Sequence, residues 1–174
     1  GQFLNGSFTL LSQQESSSTT DASTGAVLAA PTGAVNDPVG SFPGLFIDRA
    51  QIGSVLESFS LNLAMQGAAL EYGMGSAVAA GVVQGVLQVT GQVRVYFKDF
   101  TLYTRFINET LGMISVVTKD AAGNAYVISV LNGALMNAKV DAGGPGQPVM
   151  AVFDIEGNPV SGGGTIRIDR LPAT

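Results

Sequence analysis

The stretch from Val83 to Phe97 constrains the fold more than any other. From Leu87 onward, Leu87, Val89, Val93, Val95 and Phe97 alternate with Gln88, Thr90, Gln92, Arg94 and Tyr96. A period of two sends each set to its own side of an extended chain, so this is a strand with one dry face and one wet face. At roughly 3.3 Å per residue it runs on the order of 40 Å, well past the length of an ordinary strand, and it therefore crosses a whole domain. From Lys98 to Glu109 the apolar period changes from two to that of a helix. Asp99 stands where it can cap the first amides, and Phe100, Tyr103, Phe106 and Ile107 fall on one face. The strand thus feeds one short amphipathic helix.

The rest of the chain hangs from that spine. Phe3 to Leu11 has strand-like composition, with Phe8 and Leu10 on one side. From Ser12 to Pro43 the sequence turns polar, then Gly- and Pro-punctuated; such a segment does not offset its own ordering entropy, and reads as a flexible tether or as an arm ordered against a neighbour. Gly44 to Asp48 suggests a short edge strand. Glu57 to Leu63 alternates again, with Phe59, Leu61 and Leu63 inward and Ser58, Ser60 and Asn62 outward. The Ala- and Gly-rich stretch Ala64 to Val82 is too long for a simple hairpin loop and reads as a projecting hairpin extension or a contact loop. Met113 to Thr118 and Tyr126 to Val130 form a hairpin around Asp120 to Asn124, a further β segment covers Ala134 to Val140, and Val149 to Asp154 with Thr165 to Asp169 makes a last hairpin. Seven or eight strands and one helix predict a mainly β chain: an antiparallel β-sandwich or barrel with one short flanking α-helix.

Composition narrows the chemistry. With no cysteine, disulfides and thiolate metal sites are impossible, and with no histidine the commonest metal ligand and neutral-pH proton shuttle are missing. Eight basic against thirteen acidic residues, a net charge of −5, leave no basic patch for gripping phosphates. No apolar run approaches the roughly 20 residues of a bilayer span, and nothing resembles a signal peptide. The carboxylates Asp154 with Glu156, and Asp48 with Glu57, are close in sequence but read as solvated strand ends, since glycoside cleavage needs two carboxyls facing across a cleft. Asp120 to Asn124 lacks the oxygen series of a calcium loop and reads as a turn. Gly81, Gly85 and Gly91 lie in a strand, without the Gly-Lys-Ser of a phosphate loop, and read as sites of bending or close backbone approach. No catalytic, metal or cofactor-binding residue is nominated, and the chain is expected not to be an enzyme.

The order of motifs from Ser58 to Asn108 resembles the tail tube (major tail) proteins of long-tailed bacteriophages. The residues concerned are Ser58-Phe59-Ser60-Leu61-Asn62-Leu63, Tyr72-Gly73-Met74-Gly75-Ser76, Val89-Thr90-Gly91, Val95-Tyr96-Phe97, and Leu102-Tyr103 with Phe106 and Asn108. The closing Thr165 to Pro172 is similar to the end of those proteins. After Leu63 such proteins tend to carry paired asparagines, where this chain has Ala64-Met65-Gln66. The resemblance implies a homo-oligomer of sixfold or pseudo-sixfold rings, stacked into a tube whose joined sheets enclose a channel. It also implies genomic DNA passing without specific binding, other tail proteins (tape measure, tail terminator, distal tail) as partners, and a place in the virion tail after assembly in the host cytoplasm. On this reading residues 1–11 are the last strand of a preceding β unit, 12–43 the connection, and 44–174 the tube-like domain; the abrupt start at Gly1 suggests a cut chain.

Two sets of residues follow as expectations. Ser58, Ser60, Asn62, Gln88, Thr90 and Gln92 are expected to face the lumen, whereas Arg94 fits that wall poorly and is expected instead to pair with a carboxylate. Tyr72, Met74, Ser76 and Val78 are expected to touch the adjacent subunit or ring. The rival reading is a β-sandwich adhesion or carbohydrate-binding module.

Overall fold

The computed structural model describes residues 5–12, 16–20 and 39–173. Its elements are β1 (Gly44–Ile47), β2 (Ala50–Gln51), β3 (Leu56–Gln66), β4 (Ala69–Tyr72), β5 (Ala79–Val83), β6 (Val86–Tyr96), α1 (Thr101–Ile107), β7 (Gly112–Lys119), β8 (Ala125–Ala142), β9 (Val149–Asn158) and β10 (Ile166–Leu171). The main sheet runs β2-β1-β7-β8-β9-β6-β3 with β10 also on β8, while β4 and β5 pair only with each other. Every pairing is antiparallel. Among the described residues the fold is the expected mainly β one with a single short helix, and the sheet is not closed, so the barrel alternative falls away in favour of a sandwich-like arrangement.

The alternation within Val83 to Phe97 is the origin of the core. Val89, Val93 and Val95 of β6 are 0–1% exposed and lie with Ala151, Phe153 and Ile155 of β9, Val130 and Leu135 of β8, Ile114 and Val116 of β7, and Leu45 and Ile47 of β1. Phe59 and Leu61 of β3 pack on this cluster from the sheet edge. Each fully buried aliphatic or aromatic side chain contributes about 1.5–3 kcal/mol. A line of glycines crosses the sheet, Gly112 opposite Gly133 and Gly133 opposite Gly157, which in turn faces Val89. A Cβ on Gly133 would stand 2.8 Å from Ile114 Cδ1, and one on Gly157 would stand 2.9 Å from Thr165 Cγ2. Large neighbours fold over this line, and only glycine leaves them room.

Asp99 accepts a hydrogen bond from the Thr101 amide at 2.9 Å, and the helix starts there as expected. Its buried face differs from the expected one. Leu102 and Phe106, four residues apart, point into the core, while Phe100 and Ile107 are 66% and 60% exposed. The aromatic rings instead run along the helix flank, Phe97 to Phe100 to Tyr103 to Phe106, at centroid spacings of 5.2, 6.3 and 6.0 Å. Arg105 fastens the helix to the β1–β2 turn: its Nη2 is 2.8 Å from Asp48 Oδ2, a charge contact rather than an aligned hydrogen bond. The other oxygen of Asp48 accepts from the Met113 amide at 2.9 Å.

Three further expectations are corrected. Gly44–Ile47 is not at the edge, because it pairs with β7 on one side and β2 on the other. The two β segments expected at Tyr126 to Val130 and Ala134 to Val140 are one strand of 18 residues. It is interrupted by a bulge between Met136 and Lys139, where Asn137 takes φ 49°. Finally, β9 and β10 do not form a hairpin. They follow one another along the same edge of β8, which pairs Asn132–Ala142 with β9 and Ala125–Val130 with β10. The excursion between them closes on itself through the Val160 amide to the Gly164 carbonyl at 3.0 Å, with Gly162, Gly163 and Gly164 all at positive φ. It returns the chain to the edge it left instead of reversing it. Of the strand expected at Phe3 to Leu11, residues 3 and 4 lie outside the described residues, and 5–11 carry no strand in this chain.

A polar concave sheet face and a projecting arm

β3, β6, β9 and the second half of β8 form a four-stranded section of the sheet with one face on the core and the other open. The register sets its rows. Asn62 lies opposite Thr90, which faces Glu156, which faces Ala134; Ser60, Gln92, Asp154 and Met136 form the next row, and Ser58, Arg94, Val152 and Lys139 the one after. All six residues expected on a wet wall, Ser58, Ser60, Asn62, Gln88, Thr90 and Gln92, therefore share one face. Thr90 is half-buried among its neighbours and the other five are exposed. The face carries a shallow open depression of about 520 Å³ above Ser60, Gln92, Asn137, Asp154 and Glu156.

Asp154 organises the centre of this face. The Gln92 side-chain amide donates to its Oδ1 at 3.0 Å and the Asn137 amide to its Oδ2 at 2.9 Å. These bonds, Gln92 first, hold its carboxyl below the usual carboxylate range. The network also joins β6 and β9 to the bulge of β8. Arg94 pairs with Glu57, the carboxylate partner it was expected to need. This polar face thus contains Asn137, Asp154 and Glu156 in addition to the six residues nominated. The signal for two of them was present: Phe153-Asp154-Ile155-Glu156 alternates as β6 does. Asn137 was not legible, because the bulge shifts the alternation of β8.

Among the described residues the section has two unpaired edges: β3 pairs only with β6, and from Ala134 onward β8 pairs only with β9, its β7 partner ending at Gly112 opposite Gly133. β6 itself is interior, flanked by β3 and β9. Because neighbouring strands alternate in direction across β8, β9, β6 and β3, the two outermost strands run antiparallel to each other.

The stretch Ala64 to Val82 proves to be a hairpin extension. β3 runs on through Gly67 (φ 78°) into β4, and β5 returns through Gly85 into β6, so residues 56–96 form one long ribbon with a bend. At the bend a Cβ on Gly85 would overlap the Gln66 carbonyl oxygen and stand 2.7 Å from the Ala68 amide nitrogen. The ribbon tip carries the four residues expected to make contacts, in different settings. Tyr72 is 65% exposed and Met74 fully so. Ser76 is used within the turn, its hydroxyl donating to the Val78 carbonyl at 2.7 Å and accepting from the Val78 amide at 3.2 Å. Val78 is half-buried.

The carboxylates weighed for catalysis are placed as follows. Asp48 meets Arg105 and Glu57 meets Arg94, so these two do not face one another across a cleft. Asp154 is held by two amides, and Asp120 caps the β7–β8 turn by accepting from the Asn124 backbone and side-chain amides at 2.8 and 2.7 Å. Among the described residues no three acidic side chains gather as a metal site, and no helix is long and apolar enough to cross a membrane.

Among the described residues, the open sheet with one polar face, two unpaired edges and a protruding ribbon offers surfaces of the kind that meet other chains. The family model for the phage tail tube protein matches residues 1–159, and the chain belongs to that family. It is a structural subunit of a phage tail tube and a component of the virion tail, assembling with copies of itself and with other tail proteins. The resemblance carried by Ser58 to Asn108 lies wholly inside the matched stretch, whereas the closing Thr165 to Pro172 lies beyond it. No curated protein matches the chain.

Proposed function

We propose that the four-stranded section formed by β3, β6, β9 and the second half of β8 is one subunit's share of the tube wall. Copies join the β3 edge of one to the β8 edge of the next. Rotation about an axis along the strands preserves strand direction, so that junction is antiparallel like every other pairing in the sheet. The rings are sixfold, or threefold if each polypeptide supplies two such units, and they stack. Residues 44–174 form the unit and 12–43 a connecting arm. Ser58, Ser60, Asn62, Gln88, Thr90 and Gln92 then line the channel with Asp154 and Glu156. Tyr72 and Met74 at the ribbon tip, with Ser76 and Val78 shaping it, meet the next subunit or ring. Tape-measure, terminator and distal-tail proteins occupy the channel and its ends. The chain has no enzymatic task in this assembly.

The observation that carries the reading is the coincidence of a polar face with unpaired edges on both sides of the same section. Electrostatics agree with it. A carboxylate kept ionised by two amides on that face, in a chain of net charge −5, repels phosphates and lets DNA pass without being gripped. Electron microscopy of the purified protein tests the proposal, with tubes of uniform bore as the expected result. In those tubes, a Gln92→Cys variant should react with a small maleimide and resist a bulky one. Monomers alone at high concentration, or ready labelling of the Gln92→Cys variant by the bulky reagent in intact tubes, would overturn it.

A further inference from the structure

A further open edge lies outside the wall section. β10 pairs with β8 on one side only, and its other side carries no strand among the described residues. On the core-facing side of the sheet the apolar surface runs from Val116 across Ile128 to Ile168. It begins buried at Val116 and ends with Ile168 62% exposed, beside Tyr126 at 45%. The apolar row that starts at the core thus ends in the open at this edge. Elsewhere in the same chain, residues 5–11 carry no strand among the described residues, with Phe8 94% and Leu10 88% exposed. These two residues sit one apart, so in an extended backbone they project to the same side, with Ser7 and Thr9 opposite.

We infer that residues 5–11 of one copy add as a strand to the β10 edge of the neighbouring copy, seating Phe8 and Leu10 over Ile168 and Tyr126. Backbone amides and carbonyls of both segments find partners, and the alternation of the donor matches an apolar side and a polar side of the acceptor. The tether reaches the chain's own edge as well as the neighbour's, yet residues 5–11 carry no strand and leave their own β10 edge unpaired, which favours the neighbour. The tether leads into β1, which lies across β7 and β8 from β10. Under the edge-joining proposed above, on which this inference rests, the β1 side of each copy faces the β10 side of the next. The intervening residues 13–41 span at most on the order of 100 Å, ample for that step. Each subunit is then strapped to the next by a segment separate from the wall junction, and one more exposed edge is removed.

The absence of cysteine makes the test clean. Chains carrying only Thr9→Cys are mixed with chains of different mass carrying only Asp169→Cys or Arg167→Cys, assembled, and treated with a short bis-maleimide that tolerates a slip of register. Covalent heterodimers are expected, and adding Ile168→Asp to the acceptor should reduce their yield at least tenfold while its circular dichroism stays that of the parent. A Thr9→Cys, Asp169→Cys double variant should give a ladder of multimers. Tubes by microscopy with no heterodimer overturn the strand exchange and leave the tube reading standing, and so does a double variant that cross-links only within its own chain. Heterodimers without tubes support the exchange and count against the tube reading; neither product overturns both.

Discussion

The root and the tip of the ribbon spanning residues 56–96 are continuous in backbone and opposite in what specifies them. At the root, β3 and β6 alternate, and one side of that alternation is buried to 0–1% at Val89, Val93 and Val95, though Leu63 and Leu87, expected inward, are 46% and 38% exposed. A slip of one residue would put every one of those valines in water, so the register is fixed from within the chain. Past Gly85 the pattern dissolves into alanine and glycine, and Tyr72, Met74, Val82 and Val83 are all more than two-fifths exposed. Folding energy settles the root. The tip is shaped by its turn bonds and left apolar and uncovered, as a surface is when its partner is another chain.

The sharpest way to break this comparison is to place the same charge at both ends. Val93→Asp puts an unpaired carboxylate where the side chain is 1% exposed. A cost above about 4–5 kcal/mol is expected, a large part of the total stability of a domain, so the variant should lack a cooperative thermal transition by calorimetry. Met74→Asp at the tip should change stability by less than about 0.5 kcal/mol. Comparable losses at the two positions would mean that the tip is packed within its own subunit.

The bend between them comes next. Gly85→Val drives a Cβ into the Gln66 carbonyl and the Ala68 amide, both backbone groups that yield only if the ribbon shifts. About 1–3 kcal/mol of stability should be lost, read as a lower urea midpoint with unchanged slope. If the bend aims the tip, tube yield should fall by more than that loss of stability explains. The sequence marked Gly85 as a place of close backbone approach, which the bend bears out. It marked β6, β3, the start of the helix and the wet face equally well, because burial on one side writes a period into the residues. What it did not show depends on partners distant in sequence. The bulge at Asn137 is drawn to Asp154, the sharing of one β8 edge by β9 and β10 is decided by the 159–165 excursion, and the helix rotates toward Leu102 because the core is there to receive it.

Asp154 sharpens the comparison at the root, on its polar side. Its carboxyl lies below the ordinary range in the folded chain through Gln92 and Asn137. A depressed folded pKa stabilises above the unfolded value, near 3.9 for a free aspartate, and that contribution is lost as pH falls through the folded value. The Asp120 and Asp99 carboxyls are lowered in the same direction, through Asn124 and Thr101. Stability should therefore decline as pH drops below about 4. Asp154→Asn should cost about 1 kcal/mol near neutrality, since the site is partly open to water, and should flatten the acid decline. An unchanged acid profile in chemical denaturation would show that the amides do not favour the ionised form.

The smallest effect on folding belongs to Met74, and it discriminates most. Its side chain is fully exposed, so Met74→Ser removes no contact within the subunit and should leave the folding stability within about 0.5 kcal/mol of the parent. If the ribbon tip meets the neighbouring subunit as proposed, the same change removes an apolar anchor from that interface, where burial of such a side chain is worth about 1.5–3 kcal/mol. Every subunit repeats the loss, so the concentration needed for tube formation should rise by about tenfold or more, followed by light scattering and checked by microscopy. Ser76→Ala separates anchoring from shape. It removes the two hydroxyl contacts to Val78 while leaving Met74 in place, and should affect assembly less than Met74→Ser if the methionine itself is buried by the neighbour. Equal effects would mean that the conformation of the turn, rather than the side chain it presents, is what the neighbouring copy reads.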